Sequence, residues 1–166
     1  MAISTIVKNK RDGTLVLTDN AGANSLTIAY EAGDFSLSVP ARTVSLYLDR
    51  GTMNATPQIR HVDDQPMTGT FTAQLRDISD AAYATLEELL LGPSGFIGST
   101  WVSTMGATGE VFTCTATWTI EGTDHGDASD HVVACNFCYF TGSLADGDPS
   151  TISCSFTSYD LFPTVT

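Results

Sequence analysis

The stretch VFTCTATWTIEG, residues 111–122, limits the fold more than any other segment. Phe112, Cys114, Ala116, Trp118 and Ile120 alternate with Thr113, Thr115, Thr117 and Thr119. Successive side chains of a strand point to opposite faces, so this period of two fits a half-buried β-strand and conflicts with the 3.6-residue repeat of a helix. Threonine suits a pleated surface because its branched Cβ packs well there, and its hydroxyl makes the second face polar without charging it. A chain with such a strand has to place it in a sheet, with a core on one side.

The same pattern recurs along the sequence. GTLVLT at 13–18 reads as a strand followed by a turn at 19–22. SLTIAY and DFSLSV, separated by Glu31, Ala32 and Gly33, alternate through Leu26, Ile28 and Tyr30 and then through Phe35, Leu37 and Val39, which predicts a hairpin. Pro40 limits the second of these, and TVSLYL at 43–48 leads into a polar excursion over 49–66. An excursion of that length exceeds the roughly 12–15 residues usual for a structureless loop, so it is expected to be functional or an extended β-arm. TGTFTAQLRD at 68–77 returns as a strand with Phe71, Ala73 and Leu75 on one face. A helix is predicted over 79–91, with Ser79 as N-cap, Ile78 and Tyr83 as a hydrophobic staple, Asp80 at the positive end of the dipole, and Gly92 and Pro93 as the stop. Its stripe of Tyr83, Leu86, Leu89 and Leu90 would lie against a sheet or a neighbouring subunit. HVVACNFCYF is apolar on both faces, as in a strand covered on each side, and TISCSFTSYDLF at 151–162 alternates again. One helix among about eight strands implies a mainly β fold: a β-sandwich or partly closed barrel with a flanking α-helix, in a single domain over 1–166.

Charge is distributed unevenly. All seven basic residues, Lys8, Lys10, Arg11, Arg42, Arg50, Arg60 and Arg76, lie in the first 76 positions, whereas twelve acids and no Lys or Arg follow, for a net charge of −12. Tight binding to a phosphate backbone needs cations to displace counterions, so the C-terminal half is expected to repel nucleic acid. The first residues hold no apolar run suited to a signal peptide, and nowhere are there about 18 consecutive apolar residues for a membrane span, so the protein is expected to be soluble and made in a cytoplasm. The N-x-T match at Asn54 then has no meaning as a glycosylation site.

No chemistry-bearing motif emerges. Cys135 and Cys138 form a C-x-x-C, but residues three apart on a regular strand point to opposite faces, so with Cys114 and Cys154 they are expected to be reduced, buried thiols without metal. The segment EGTDHGDASDH, with Glu121, Asp124, Asp127, Asp130, His125 and His131, is rich in oxygen ligands but out of register with an EF-hand loop, and reads as a solvated turn between strands. Asp63 and Asp64 precede a Pro-containing turn, which favours a local backbone role over acid–base catalysis. His61 is isolated, GPSG at 92–95 fails the nucleophile-elbow pattern, and no phosphate-binding or dinucleotide loop occurs. The chain is expected to be no enzyme and to use no cofactor.

Residues 34–92 carry, in order, DFSLSVPARTV, then DRG, DDQPMTGTF and LRDISDAAYATLEELL. In these the chain resembles the major tail tube protein of long, non-contractile-tailed (siphovirus-type) bacteriophages. The resemblance implies a structural virion protein: a β-sandwich subunit with one flanking helix that forms hexameric rings, stacked into a tube through which the genome passes. It also implies assembly in the host cytoplasm and contact with tape-measure, tail terminator and distal tail proteins, with DNA passing unbound. Under this reading Lys8, Lys10, Arg11, Asp49, Arg50, Arg60, Asp63 and Asp64 are candidates for contacts between subunits or rings. Glu110, Glu121, Asp124, Asp127, Asp130, Asp146 and Asp148 are candidate lumen acids. The rivals are a tube protein of a contractile tail or type VI secretion apparatus, and a monomeric β-sandwich binding module. Exposed clustered aromatics would favour the module, whereas Trp101 and Trp118 are expected in strands and in the core.

Overall fold

The computed structural model describes residues 13–30, 34–40, 43–47, 58–63, 65–76, 84–92, 94–97, 100–106, 111–160 and 162–166, with backbone alone at 43–47 and 58–63. These form ten strands and one α-helix: β1 (Gly13–Thr18), β2 (Ser25–Ile28), β3 (Ser36–Ser38), β4 (Thr43–Tyr47), β5 (Gln58–Asp63), β6 (Met67–Gln74), α1 (Leu86–Leu91), β7 (Cys114–Ile120), β8 (His131–Ala145), β9 (Thr151–Ser158) and β10 (Thr164–Val165). The mainly β class and the single helix agree with expectation. Eight strands make one antiparallel sheet in the order β2-β1-β7-β8-β9-β6-β3, with β10 also on β8, while among the described residues β4 and β5 form a separate two-stranded sheet.

The alternating sequences explain why the sheet has one buried face. Leu15 and Leu17 stand opposite Trp118 and Ala116, Phe140 stands opposite Phe156, and Phe71 opposite Cys154, all turned to the core. The sheet curls around this core. Phe35 lies 5.0 Å from Trp118 of β7 and 6.3 Å from Phe156 of β9, strands that β8 separates, and a single bridge joins Tyr30 to Ala73 of β6. Close approach is achieved by glycine at two places. A Cβ on Gly69 would stand 2.2 Å from the Phe156 ring, and one on Gly142 would stand 2.8 Å from Leu90 Cδ1 of the helix.

Several local expectations are corrected. Strands β2 and β3 do not form a hairpin: β2 pairs with β1 and β3 with β6, because the chain leaves β2 to bridge Ala73 through Tyr30. Val39 is 61% exposed instead of facing the core. The helix begins at Leu86, six residues later than its expected first turn, since Thr85 is extended (φ −119°, ψ 154°) and caps it. Thr85 Oγ1 accepts from Glu88 N, and Glu88 Oε2 accepts from Thr85 N at 3.1 Å, a capping box that satisfies two otherwise orphan amides. Gly92 stops the helix as expected. Ile78, Ser79, Asp80, Tyr83 and Pro93 lie outside the described residues. Leu86 and Leu89 are buried, and so are Glu87 and Glu88; Glu87 Oε1 accepts from Arg76 N at 2.8 Å.

Strand β8 departs most from its sequence reading. Cys114 pairs with Cys138 but Ala116 pairs with Cys135, so β8 holds one extra residue there, and Phe137 adopts φ 51°. This β-bulge shifts the alternation by one. Cys135 and Cys138 therefore share the buried face, with Cys138 Sγ 3.2 Å from Cys135 O, contrary to the divergence expected of a regular strand. Nor is β8 covered on both sides, for Phe137 and Tyr139 point outward. Trp118 stands in β7 as expected, whereas Trp101 lies outside any strand and packs on Phe96 at 4.2 Å; both are partly buried against the core.

Candidate assembly surfaces

The outward face of the large sheet is rich in hydroxyls, interrupted by Val16, Val132, Ala134 and Phe137. Ser36, Thr70, Ser155 and Thr141 lie in one row across β3, β6, β9 and β8, and Thr141 Oγ1 meets Ser155 Oγ at 2.9 Å. Ser38, Thr68 and Thr157 form the next row, while Thr115, Thr117 and Thr119 continue the face onto β7 beside Thr14 and Thr18 of β1. Not one Asp, Glu, Lys or Arg stands in the eight strands of this sheet. Alternation produces this arrangement in β1, β2, β3, β6, β7 and β9, where each inward apolar residue has a Ser or Thr beside it, while β8 adds Val132, Ala134 and Tyr139 to the same face.

The second surface is the β4–β5 arm. The polar excursion is partly a β-hairpin: Ser45 pairs with Arg60, Leu46 with Ile59 and Tyr47 with Gln58, with a register shift between Thr43 and Val44. This places the arm's base before the expected start of the excursion, at Thr43, and puts Arg60 and Asp63 in β5. Lys8, Lys10, Arg11, Asp49, Arg50, Asp64 and Glu110 lie outside the described residues.

The remaining candidate acids do not come together. Glu121, Asp124, Asp127 and Asp130 occupy the connection from β7 to β8, and Asp146 and Asp148 the turn from β8 to β9. These sit at opposite ends of β8, about 45 Å apart along a strand of that length. In the first group the acids serve the turn itself. Asp130 Oδ1 accepts from the amides of Gly122 and Thr123 at 3.1 and 3.2 Å, and these bonds hold its carboxyl below the ordinary value of 3.8. Glu121 Oε1 accepts from Asp124 N at 3.2 Å, and Asp127 Oδ2 meets His131 Nε2 at 2.8 Å. The segment joins β7 to β8 as expected, with Thr123, Asp124, Ala128 and Ser129 exposed. Asp146 Oδ1 accepts from Ser150 Oγ at 3.2 Å in the other turn.

Among the described residues, no three His, Cys, Asp or Glu side chains converge as a metal site, and no helix is long and apolar enough to cross a membrane. All four cysteines are free and buried. Burial pushes Cys114, Cys138 and Cys154 up to about 12 and Cys135 to about 11, with smaller upward contributions from Asp19 at Cys114, Glu87 at Cys154 and Asp160 at Cys135. Such thiols stay protonated and are poor nucleophiles at neutral pH.

One surface was not legible in the sequence. Met105, Val111, Phe137, Tyr139 and Tyr159 line an exposed groove of ≈ 570 Å³ beside the bulge. Its rings are supplied by Phe, Tyr and Tyr, not by the tryptophans, and the bulge that turns Phe137 outward has no glycine to announce it. No protein-family model matches the sequence, and no curated protein matches it significantly.

Proposed function

We propose that this chain is a non-catalytic structural protein, the major tube subunit of a long, non-contractile phage tail. Rings of six subunits stack into a tube that conducts the genome, and its other partners are the tape-measure, tail terminator and distal tail proteins of the virion. The observation that carries this reading is the β4–β5 arm, which among the described residues is a ladder of its own beside the eight-stranded sheet. A two-stranded ribbon is marginal by itself in water and gains stability by packing on something else. The segments that resemble tail tube proteins flank and include this arm.

The hydroxyl face supports the same reading. A wall past which DNA moves has to offer the phosphates no cation to grip, since each Lys or Arg contact releases counterions and adds affinity. The strands meet that requirement through uncharged hydroxyls, and the acids at both ends of β8 add repulsion. The lumen thus draws its lubricity from threonine and serine along the strands, with carboxylates at the rims.

Negative-stain microscopy and sedimentation of the purified protein at rising concentration test the proposal. Rings or tubes are expected; a monomer that persists at high concentration and in added salt refutes it. The exposed Phe137, Tyr139 and Tyr159 favour a second reading, a monomeric binding module that stacks its rings on a ligand such as a glycan. A monomer whose glycan binding is lost in Tyr159→Ala would establish that alternative.

A further inference from the structure

We propose that the cavity between β2, the end of β6 and the start of α1 binds a small zwitterion, an α-amino acid with an aliphatic side chain. The site is separate from the arm and from the hydroxyl face, and it does not depend on the tube reading.

The cavity has a volume of ≈ 300 Å³. That is the lower end of the roughly 300–1,000 Å³ of small-molecule pockets and leaves room for a single amino acid. Leu26 and Ile28 of β2, Ala73 of β6 and Leu86 of α1 make an apolar wall, and Arg76 and Glu87 bring opposite charges to the same space. Ile28, Ala73 and Leu86 belong to the core, so the cavity lies on the side of the curled sheet away from the hydroxyls.

Glu87 is the reason to look for a ligand. It is 2% exposed, and only one of its oxygens is engaged: Oε1 accepts from Arg76 N at 2.8 Å. Trp118 Nε1 is the one fully buried side-chain polar atom without a partner among the described residues. Glu87 Oε2, which also has none there, therefore keeps contact with open space, and the cavity is the space that Glu87 lines. The bond to Arg76 N asks only for a carbonyl oxygen, which glutamine would supply at a lower desolvation cost. Glu88 already gives α1 its capping box and a first-turn charge. A buried carboxylate beyond these needs calls for a cation.

Arg76 supplies the other half. It is exposed, which puts it at the mouth of the cavity, and its guanidinium makes no ion pair with Glu87 or any other described residue. Two opposite charges that share a cavity without pairing are matched by one molecule that carries both. Its ammonium would donate to Glu87 Oε2 inside, its carboxylate would meet the Arg76 fork at the mouth, and its side chain would lie on Leu26 and Ile28. A simple amine leaves the guanidinium unanswered, and a simple acid is repelled by the buried carboxylate.

The test titrates L-leucine calorimetrically into the purified protein, beside isoamylamine and isocaproate, which keep its skeleton with the ammonium or the carboxylate alone. Leucine should bind at millimolar concentration or below, and at least about tenfold more tightly than either relative, because each lacks one charge-assisted bond. Glu87→Gln, which can still accept from Arg76 N, and Arg76→Gln should each weaken leucine at least about tenfold. Leucine that fails to bind wild type at millimolar concentration, or that binds both variants as tightly as wild type, overturns the site. Isoamylamine that binds as tightly as leucine and is unaffected by Arg76→Gln overturns the zwitterion assignment. Circular dichroism checks folding; because Arg76 is exposed, Arg76→Gln keeps the test decisive should Glu87→Gln misfold. Ring formation is untouched by any of these results.

Discussion

Replacing Gly69 by alanine strikes the packing of the curled sheet at its tightest point. The new methyl would lie 2.2 Å from both Cε1 and Cζ of Phe156 and 3.0 Å from Cδ1. Carbon atoms rest at about 3.5–4.0 Å, so the ring would have to retreat by more than about 1 Å. It has little space to do so, being buried with Phe140 at 5.2 Å and Phe35 at 6.3 Å. Overpacking of this kind costs about 1–3 kcal/mol, against which alanine in a strand recovers about 0.5–1 kcal/mol relative to glycine. The net expectation is a loss of about 1–2 kcal/mol, or a Tm lower by about 2–8 °C in a domain of this size. Urea unfolding followed by circular dichroism should show an earlier midpoint with an unchanged slope. Phe156→Leu should cost less in the Gly69→Ala background than in wild type, with a coupling of about 1 kcal/mol. Equal or greater stability of Gly69→Ala, or strict additivity with Phe156→Leu, would refute the proposed clash.

Three further outcomes are expected. Alkylation at mildly alkaline pH should leave the four native thiols largely unlabelled, since burial holds them at about 11 to 12, while denaturation without reductant should expose all four to label; mass spectrometry that recovers a disulfide would contradict this. Thr85→Ala removes the capping hydroxyl and should destabilise the fold by about 1 kcal/mol, read as an earlier urea midpoint, whereas Thr85→Ser should restore most of it. Burial pushes the Asp19 carboxyl up, but hydrogen bonds from the Asn24 side chain and from backbone groups of Asn24, Val102 and Ala23 outweigh it and hold the carboxyl below 3.8. Its contribution is therefore complete above 3.8 and is lost as pH falls through the lower folded value, so the stability gap between wild type and Asp19→Asn should narrow on acidification. A gap that stays constant with pH would count against that linkage.

Strands were legible where alternation is local and uninterrupted. β1, β7 and β9 declare their buried face, because each inward residue has a polar neighbour, but only β1 declares its extent: β7 covers Cys114–Ile120 and β9 Thr151–Ser158, each shorter than the alternating sequence. Partner choice was not legible, since nothing in SLTIAY or DFSLSV says that one pairs with β1 and the other with β6. The helix start differs because the sequence offers two N-caps, Ser79 with its hydrophobic staple and Thr85 with Glu88 three residues on; only the second completes a capping box, and the apolar stripe alone does not choose between them. Of the candidate surfaces, the threonine face is legible from Thr115 to Thr119, although Thr113 is fully buried and bonded to Thr104 instead, and the length of the excursion points to a β-arm. The separation of the acids along β8 required knowing that the strand continues unbroken to Ala145, and the aromatic groove required a bulge that Phe137 conceals.

That bulge gives β8 two reading frames. Before it, odd-numbered residues such as Val133 and Cys135 face inward; after it, the even-numbered Cys138 and Phe140 do. Deleting a single residue at 136 or 137 would remove the bulge and join the two frames into one regular alternation, with Cys135 and Cys138 both still inward, whereas deleting one residue within either regular run would force that half to turn over, with Thr141 and Ser143 driven into the core or Val133 expelled from it. Point substitutions on the hydroxyl face change only chemistry, whereas a change of length in either run changes which surface is chemistry and which is core. Single-residue deletions should therefore be tolerated in the acidic connection before His131 and at the bulge, and disrupt folding in the regular runs on either side of it, so that the bulge is the one place where β8 can shorten without exchanging its faces.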